Sequence, residues 1–269
     1  MPELPEVETV VRDLRQTVVG QTITGVHIYW ERSIATPTAG EFRAELLGQR
    51  IEGADRRGKF IILHLTSGDL LIHLRMTGRL YVAAREGHTD QQHLRVALDL
   101  SDSRLLFVDM RKFGRLYRVP DAATVLRSLG VEPLDAEFTP EYLRRVLSRR
   151  RSPIKAALLD QRLVAGIGNI YADEALYSAR LAPDRPASSL TAGEAEALQR
   201  AIQHELERAI QDRGTTFSDY RDGRGRAGEH RRHLHVYGRI GQPCRRCGAP
   251  IERMRIAGRG SYHCPCCQK

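Results

Sequence analysis

No cysteine occurs before position 244, no run of about 18 apolar residues occurs anywhere, and no internal repeat is evident. The first absence leaves no disulfide framework to hold the bulk of the chain, and the second leaves no candidate transmembrane helix. No secretory signal pattern opens the sequence, so a cytoplasmic protein without a membrane partner is expected. Acidic residues are also in deficit. Against 42 Lys and Arg stand 33 Asp and Glu, giving a net charge of +9 and an isoelectric point near 9.6. The basic excess is largely arginine, which forks onto phosphate and stacks on bases, so a polyanionic partner is expected. At 269 residues the chain has enough length for a proper core, in one large domain or two ordinary ones.

The first nine residues, Met1-Pro2-Glu3-Leu4-Pro5-Glu6-Val7-Glu8-Thr9, crowd two prolines and three glutamates into a terminus. Val7, Val10, Val11, Leu14 and Val18 follow at helical spacing, with Gly20 as a stop, so a helix pins this terminus. Pro5 suits the first turn, and Glu6 and Glu8 suit the positive end of the helix dipole. Pro2 is small enough that initiator Met removal is expected. Removal leaves a secondary amine with the Glu3 carboxylate beside it. Such an amine can attack a sugar C1′ and give an iminium, and an α-amine with a reference pKa near about 7.7–8.0 is partly neutral at cellular pH. A proline-rich lead-in to a helix is the plainer alternative.

Residues 21–120 read as β structure. Thr22–Tyr29, Arg50–Arg57, Phe60–Thr66, Leu70–Met76, Leu94–Leu100, Arg104–Phe107 and Leu116–Arg118 are short aliphatic or β-branched runs between turn signals. Seven such strands predict a sandwich or barrel, with Phe42–Leu47 as a helical turn. A boundary is expected within Val119–Leu134. From Thr139 the period becomes helical, over Pro140–Leu147, Ile154–Leu159, Ile170–Ala179 and Ala192–Ile210, with Thr191 and Glu194 as a capping box. Gly214–Arg232 is glycine- and arginine-rich and is expected to be a mobile loop; a short strand is expected at His235–Tyr237.

All five cysteines lie near the end, four of them as Cys244-x2-Cys247-x16-Cys264-x2-Cys267. Four thiolates at these spacings suit one structural zinc ion in a ribbon, and four sulfur ligands leave no open position for catalysis. Cys266 is a competitor ligand with worse spacing. The hairpin between the pairs carries Arg253, Arg255 and Arg259. Upstream, Ile154 to Ala172 reads as helix, a loop with Gly166 and Gly168, and a second helix capped by Asn169. An exposed helix start of this kind can take a phosphate, and an ordinary helical hairpin is the alternative. In the β region, Lys59 is either an exposed hairpin charge or a basic contact. Met76 reads first as core. Arg111 and Phe113 pair a cation with an aromatic on a Gly-bounded turn.

Taken together, the Pro2–Thr9 start, the Gly166-Ile167-Gly168-Asn169-Ile170-Tyr171-Ala172 turn and the four-cysteine ribbon resemble the formamidopyrimidine-DNA glycosylase family. The resemblance covers essentially the whole chain in the right order. It implies an α+β multidomain fold: an N-terminal β-sandwich domain with a leading helix (1–130), a helical domain with a helix–two-turn–helix and a lesion-capping loop (131–232), and a zinc-ribbon domain (233–269). It implies a monomeric DNA-repair enzyme, a glycosylase and abasic-site lyase acting on double-stranded DNA with oxidised purines or abasic sites. Pro2 is then the nucleophile and Glu3 the proton donor and acceptor at the sugar. Glu6 orders the segment. Lys59 matches the family's hairpin lysine, and Lys155 fits a further basic contact. Met76, Arg111 and Phe113 fill the void left by the extruded nucleotide. His73, Asn169 and Arg259 look like phosphate clamps, with His93 a weaker candidate. The arginines in the capping-loop region, Arg221, Arg224 and Arg226, depart from the family's character there.

Two other classes remain open. A sister lyase for oxidised pyrimidines typically has Gly where this chain has Leu4. A non-enzymatic DNA-binding protein has no use for an intact Pro2-Glu3.

Overall fold

The computed structural model describes residues 1–85, 92–217 and 220–269. The chain forms two compact units, Met1–Arg127 with Ile210–Arg231, and Ser128–Ala209 with Arg232–Lys269.

The first unit opens with α1 (Leu4–Thr17), in which Val7, Val10, Val11 and Leu14 are fully buried along one stripe and Pro5 occupies the first turn. There follow β1 (Ile23–Ile28), β2 (Ile34–Thr36), α2 (Ala39–Leu46), β3 (Ile51–Arg57), β4 (Phe60–Leu65), β5 (Asp69–His73), β6 (Gly78–Ala84), β7 (Leu94–Leu100), β8 (Ser103–Asp109), β9 (Arg115–Val119) and α3 (Ala123–Leu126). They make a four-stranded sheet, β1-β7-β8-β6, and a five-stranded sheet, β2-β9-β5-β4-β3, antiparallel apart from the β2–β9 pair. One core takes Leu80, Val96, Leu98 and Phe107 from the first sheet and Ile61, Leu63, Leu70 and Ile72 from the second, with Phe42, Leu46 and the α1 stripe. This is the expected sandwich with its leading helix.

Several expected boundaries move. The strand expected over Leu70–Met76 stops at His73, because Arg75 takes a left-handed φ of 56° and the Gly78 N–H closes onto the Leu74 carbonyl at 3.0 Å. A Cβ on Gly78 would lie 2.3 Å from that carbonyl oxygen, so only glycine closes this turn. The strand β6 went unexpected: Leu80 is buried but Tyr81, Val82 and Ala83 are only partly so, and the alternation is weak.

In the second unit, α4 (Pro140–Leu147) is capped by Thr139, whose hydroxyl accepts the Tyr142 N–H. Then come α5 (Ile154–Leu158), α6 (Asn169–Ser178), α7 (Ala192–Gln211, its last two residues belonging to the first unit) and the hairpin β10 (Glu252–Ile256) and β11 (Arg259–His263). The Thr191–Glu194 capping box starts α7 as expected. Between α5 and α6 the Gln161 amide holds the two-turn connection: it donates to the Leu159 and Ile167 carbonyls and accepts the Gly166 N–H at 2.9 Å. Gly168, in extended conformation, is the N-cap of α6, and Asn169 is its first helical residue rather than the cap. The strand expected at His235–Tyr237 does not form. The N–H groups of His235, Val236 and Tyr237 all donate to the buried carboxylate of Glu174 on α6, at 2.7, 2.9 and 2.8 Å, so none is left for a ladder. Among the described residues no helix is long and apolar enough to cross a membrane.

Candidate active site and metal centre

The N-terminal segment of the first unit is held by one carboxylate. Pro2, Glu3 and Glu6 are buried. Glu6 Oε2 accepts the Glu3 N–H at 2.8 Å, half of a capping box with Glu3 at the start of α1. Glu6 Oε1 accepts the Thr215 N–H at 2.7 Å. Tyr220 donates its hydroxyl to the Glu6 and Arg213 carbonyls, and burial together with the Glu6 charge pushes its phenol well above the usual range. Gly214 has φ +82° and lies against the Glu6 side chain, where a Cβ would come within 2.9 Å.

The same unit reshapes the glycine-rich stretch expected to be mobile. The buried Asp222 carboxylate accepts the Arg224 and Arg226 N–H groups at 3.0 and 2.8 Å and the Arg213 guanidinium, which also reaches Asp13 on α1 at 2.6 Å. Two of the three arginines noted there, 224 and 226, thus place their backbones on one carboxylate. Residues 218 and 219 of that stretch lie outside the described residues.

Lys59 sits in the β3–β4 turn and is buried. Next to it Phe60 pairs with His73 across β4 and β5, the rings edge-on at 4.6 Å. Burial, reinforced by the charges of Arg75 and Lys59, brings the His73 imidazole down to about 3. It is therefore neutral near pH 7. Its Nδ1 accepts the Arg75 N–H at 3.0 Å, which fixes the tautomer with the proton on Nε2. His73 can donate one hydrogen bond without adding charge.

Met76 is 40% exposed, so the reading as core fails. Arg111 and Phe113 are exposed on the β8–β9 turn, with the guanidinium 4.9 Å from the Phe113 ring centroid. His93 is half-buried; its carbonyl accepts the Asp109 N–H at 2.9 Å.

In the second unit Lys155 is fully buried. Its ammonium pairs with Asp173 at 2.8 Å and donates to the Gly260 carbonyl at 2.9 Å. The expected basic contact is thus an internal strut, because a lysine with no exposure cannot reach a solvent-side phosphate in this conformation. Asn169 donates to the same Gly260 carbonyl at 3.0 Å, and the Tyr262 N–H donates to Asp173. These bonds hold β11 beside the start of α6, and β11 begins with the exposed Arg259. A groove of about 440 Å³ lined by Arg253, Met254, Arg255, Gly258 and Gly260 opens at the same hairpin.

The sulfurs of Cys244, Cys247, Cys264 and Cys267 lie within 4.8 Å of one another, with Cys244–Cys267 at 3.9 Å and Cys247–Cys264 at 3.5 Å. A tetrahedron of metal–sulfur bonds near 2.3 Å has edges of about 3.8 Å, which these distances match. Burial and the other three sulfurs push the Cys267 thiol up to about 12, so a cation is needed for all four to ionise. The set fits one structural zinc. Tyr177 on α6 adds a hydroxyl 3.4 Å from Cys244 Sγ, and Cys266 stands exposed outside the set.

Sequence reasoning did not single out Asp109, Asp173, Glu174, Gln161 or Asp222. Asp109, Asp173 and Glu174 bond to groups far off in sequence, and Gln161 and Asp222 gather neighbouring backbone N–H groups or carbonyls within irregular loops, where no regular spacing announces the bonds.

Comparison with known proteins bears on the whole chain. Family models described as the formamidopyrimidine-DNA glycosylase N-terminal domain, its H2TH domain, and a zinc finger found in FPG and IleRS match residues 1–116, 129–220 and 241–269. A formamidopyrimidine-DNA glycosylase of Pelotomaculum thermopropionicum is 46% identical over 275 residues, covering 100% of this chain and 99% of the relative. One from Moorella thermoacetica is 50% identical over 95% of each chain. The Lactococcus lactis Fpg (MutM) in complex with DNA containing N7-benzyl-Fapy-dG has a TM-score of 0.93 at 35% identity, covering 100% of both chains. The same enzyme with abasic-site DNA has a TM-score of 0.92 at 35% identity over 99% of each.

Proposed function

The chain belongs to the formamidopyrimidine-DNA glycosylase family of DNA-repair enzymes, and from that premise we propose that it excises oxidised purines, 8-oxoguanine and formamidopyrimidines, from double-stranded DNA through its N-terminal proline. The observation that carries this reading is the fixing of Pro2 and Glu3 by Glu6, whose two carboxylate oxygens hold the Glu3 and Thr215 N–H groups. The Glu3 bond is an ordinary capping box, but the second oxygen ties the segment to Thr215, 209 positions on, which a mere helix lead-in does not need.

With Met1 removed, the neutral Pro2 nitrogen attacks C1′ of the extruded nucleotide. The C1′–N bond to the base breaks, and the ring-opened sugar becomes an iminium on Pro2. Glu3 delivers a proton to the sugar oxygen as the ring opens and later takes one from C2′. Loss of that proton expels the 3′ phosphate, and a further elimination expels the 5′ phosphate. Hydrolysis of the iminium returns the free amine. Lys59, His73, Asn169 and Arg259 act on the flanking phosphates, His73 as a neutral Nε2–H donor. Lys155 holds Gly260 and so the Arg259 hairpin. Met76, Arg111 and Phe113 enter the stack and offset part of the cost of extrusion, a few kcal/mol. Bound zinc supplies a scaffold for the ribbon and no chemistry at the sugar.

The DNA complexes of the structural relatives support DNA as the partner, as does the net charge of +9. The test is product analysis on matched duplexes. Carrying 8-oxoguanine opposite cytosine, the duplex should be cut to a one-nucleotide gap with phosphate at both ends. Faster cutting of a duplex carrying an oxidised pyrimidine would move the chain to the pyrimidine-lesion class.

A further inference from the structure

Between the two turns that carry Met76 and Arg111–Phe113 lies a carboxylate to which no function has yet been given. Asp109 ends β8 with no exposed surface. Its Oδ1 accepts the Thr77 hydroxyl at 2.5 Å and the Arg111 N–H at 3.2 Å, and its Oδ2 accepts the Gly114 N–H at 2.7 Å. The Arg111 N–H is shared with the Thr77 hydroxyl oxygen at 3.1 Å. Thr77 directly follows Met76, and the two N–H groups bracket Arg111, Lys112 and Phe113. Lys112 takes a left-handed φ of 61°, and a Cβ on Gly114 would lie 2.3 Å from the Phe107 ring and 3.2 Å from Asp109 Oδ2. The second turn is therefore closed tightly onto the carboxylate. Above it stand three half-exposed apolar side chains, Met76, Met110 and Phe113, at 40, 50 and 47%.

Exposed apolar groups on two separate turns would ordinarily move independently, and each would lose conformational entropy on entering a base stack. Buried polar groups locked by several hydrogen bonds remove that cost beforehand. We propose that Asp109 is a positioning residue that ties the Met76 turn and the Arg111–Phe113 turn into one rigid wedge, so that both enter the duplex together when the lesion is extruded. This rests on the void-filling reading of Met76, Arg111 and Phe113 given above. The backbone of Asp109 is itself fixed: its N–H donates to His93 O, and Arg95 Nε donates to its carbonyl at 2.8 Å. His93 thereby belongs to the support of the wedge.

Two variants separate positioning from general stability. Asp109→Asn puts an NH2 group where an acceptor is needed by either the Gly114 N–H or the Thr77 hydroxyl. Thr77→Val removes only the side-chain link between turns; the β6–β8 pairing at Gly78 and Asp109 and the Asp109 bonds to Arg111 and Gly114 remain. Each is compared with wild type in single-turnover excision of 8-oxoguanine from a matched duplex and in strand cleavage at a preformed abasic site, where no base has to be unstacked. A 2-aminopurine placed beside the lesion reports wedge entry. Excision should fall about tenfold or more in Asp109→Asn and severalfold in Thr77→Val, with loss of the fluorescence rise, while abasic-site cleavage stays within about threefold. Equal loss on both substrates, or an unchanged fluorescence rise in Thr77→Val, would overturn the coupling. Wild-type protein inactive on both substrates would instead refute the proposed function beneath it.

Discussion

In the second unit the four sulfurs of the metal centre come from two Cys-x2-Cys pairs at the ends of one hairpin, whereas in the first unit the N-terminal segment is fixed by Thr215, 209 positions from Glu6. The metal centre is thus a local structure, closed by a short loop and completed by an ion. The amine site is a long-range structure, and its order depends on the fold of the unit around it. The difference teaches where each is vulnerable. A ribbon fails when one ligand goes, because the binding free energy of the metal is its folding free energy. A terminus fixed by buried hydrogen bonds loses geometry by degrees as its partners are removed.

The largest effect is expected from Cys247→Ser. Zinc content, measured by metal analysis of the purified protein, should fall from one per chain to near zero, and DNA binding should go with it; retained zinc would refute the ligand assignment. Pro2→Gly should lower strand cleavage more than about a hundredfold, about 2.7 kcal/mol in the barrier, while binding of uncleavable abasic-analogue DNA persists. The comparison breaks if Pro2→Gly also loses DNA binding, or if Cys247→Ser keeps both zinc and binding. Glu6→Gln should be intermediate. One N–H acceptor is lost where an amide replaces the carboxylate, so a stability loss of about 1–3 kcal/mol and roughly tenfold slower cleavage are expected. Chemical denaturation and single-turnover rates measure the two. Full activity would show that Glu6 does not order Pro2.

The sequence made the ribbon and most helices readable because their signals are local: Cys spacing, the Thr191–Glu194 box, the Val7–Leu14 stripe. Six of the seven expected strands fall within a residue or two of β1, β3, β4, β7, β8 and β9, because alternation and turn residues are local too. What stayed hidden is polar and distant. Glu174 takes three N–H groups from a segment about 60 positions on, and so converts an expected strand into a loop. Lys155 looks like a surface cation until Asp173 and Gly260 bury it. Asp109 reads as one more turn aspartate until Thr77 and Gly114 converge on it.

The smallest expected effect sharpens the contrast between the units through pH. Burial lowers His73 in the first unit to about 3, whereas an unfolded imidazole titrates near 6.5. The stability it confers is present above pH 6.5 and is lost as pH falls toward 3. In the second unit burial raises Glu174 from 4.5 to about 7 against its three N–H donors, with the Glu205 charge adding to the rise. Its contribution is present below pH 4.5 and is lost as pH rises through about 7. Acidification from pH 7 to 5 should therefore loosen β5 and tighten residues 235–237, as read by hydrogen exchange after correction for intrinsic rates. Parallel changes in both segments would contradict these assignments.

The most direct measurement is borohydride trapping on 8-oxoguanine duplex, with the cross-linked peptide identified by mass spectrometry and the N-terminus of the protein determined in the same sample. The expected result is a single adduct on Pro2 in chains lacking Met1. An adduct on Lys59 or Lys155, or efficient trapping by chains that retain Met1, would contradict the assignment of Pro2 as nucleophile.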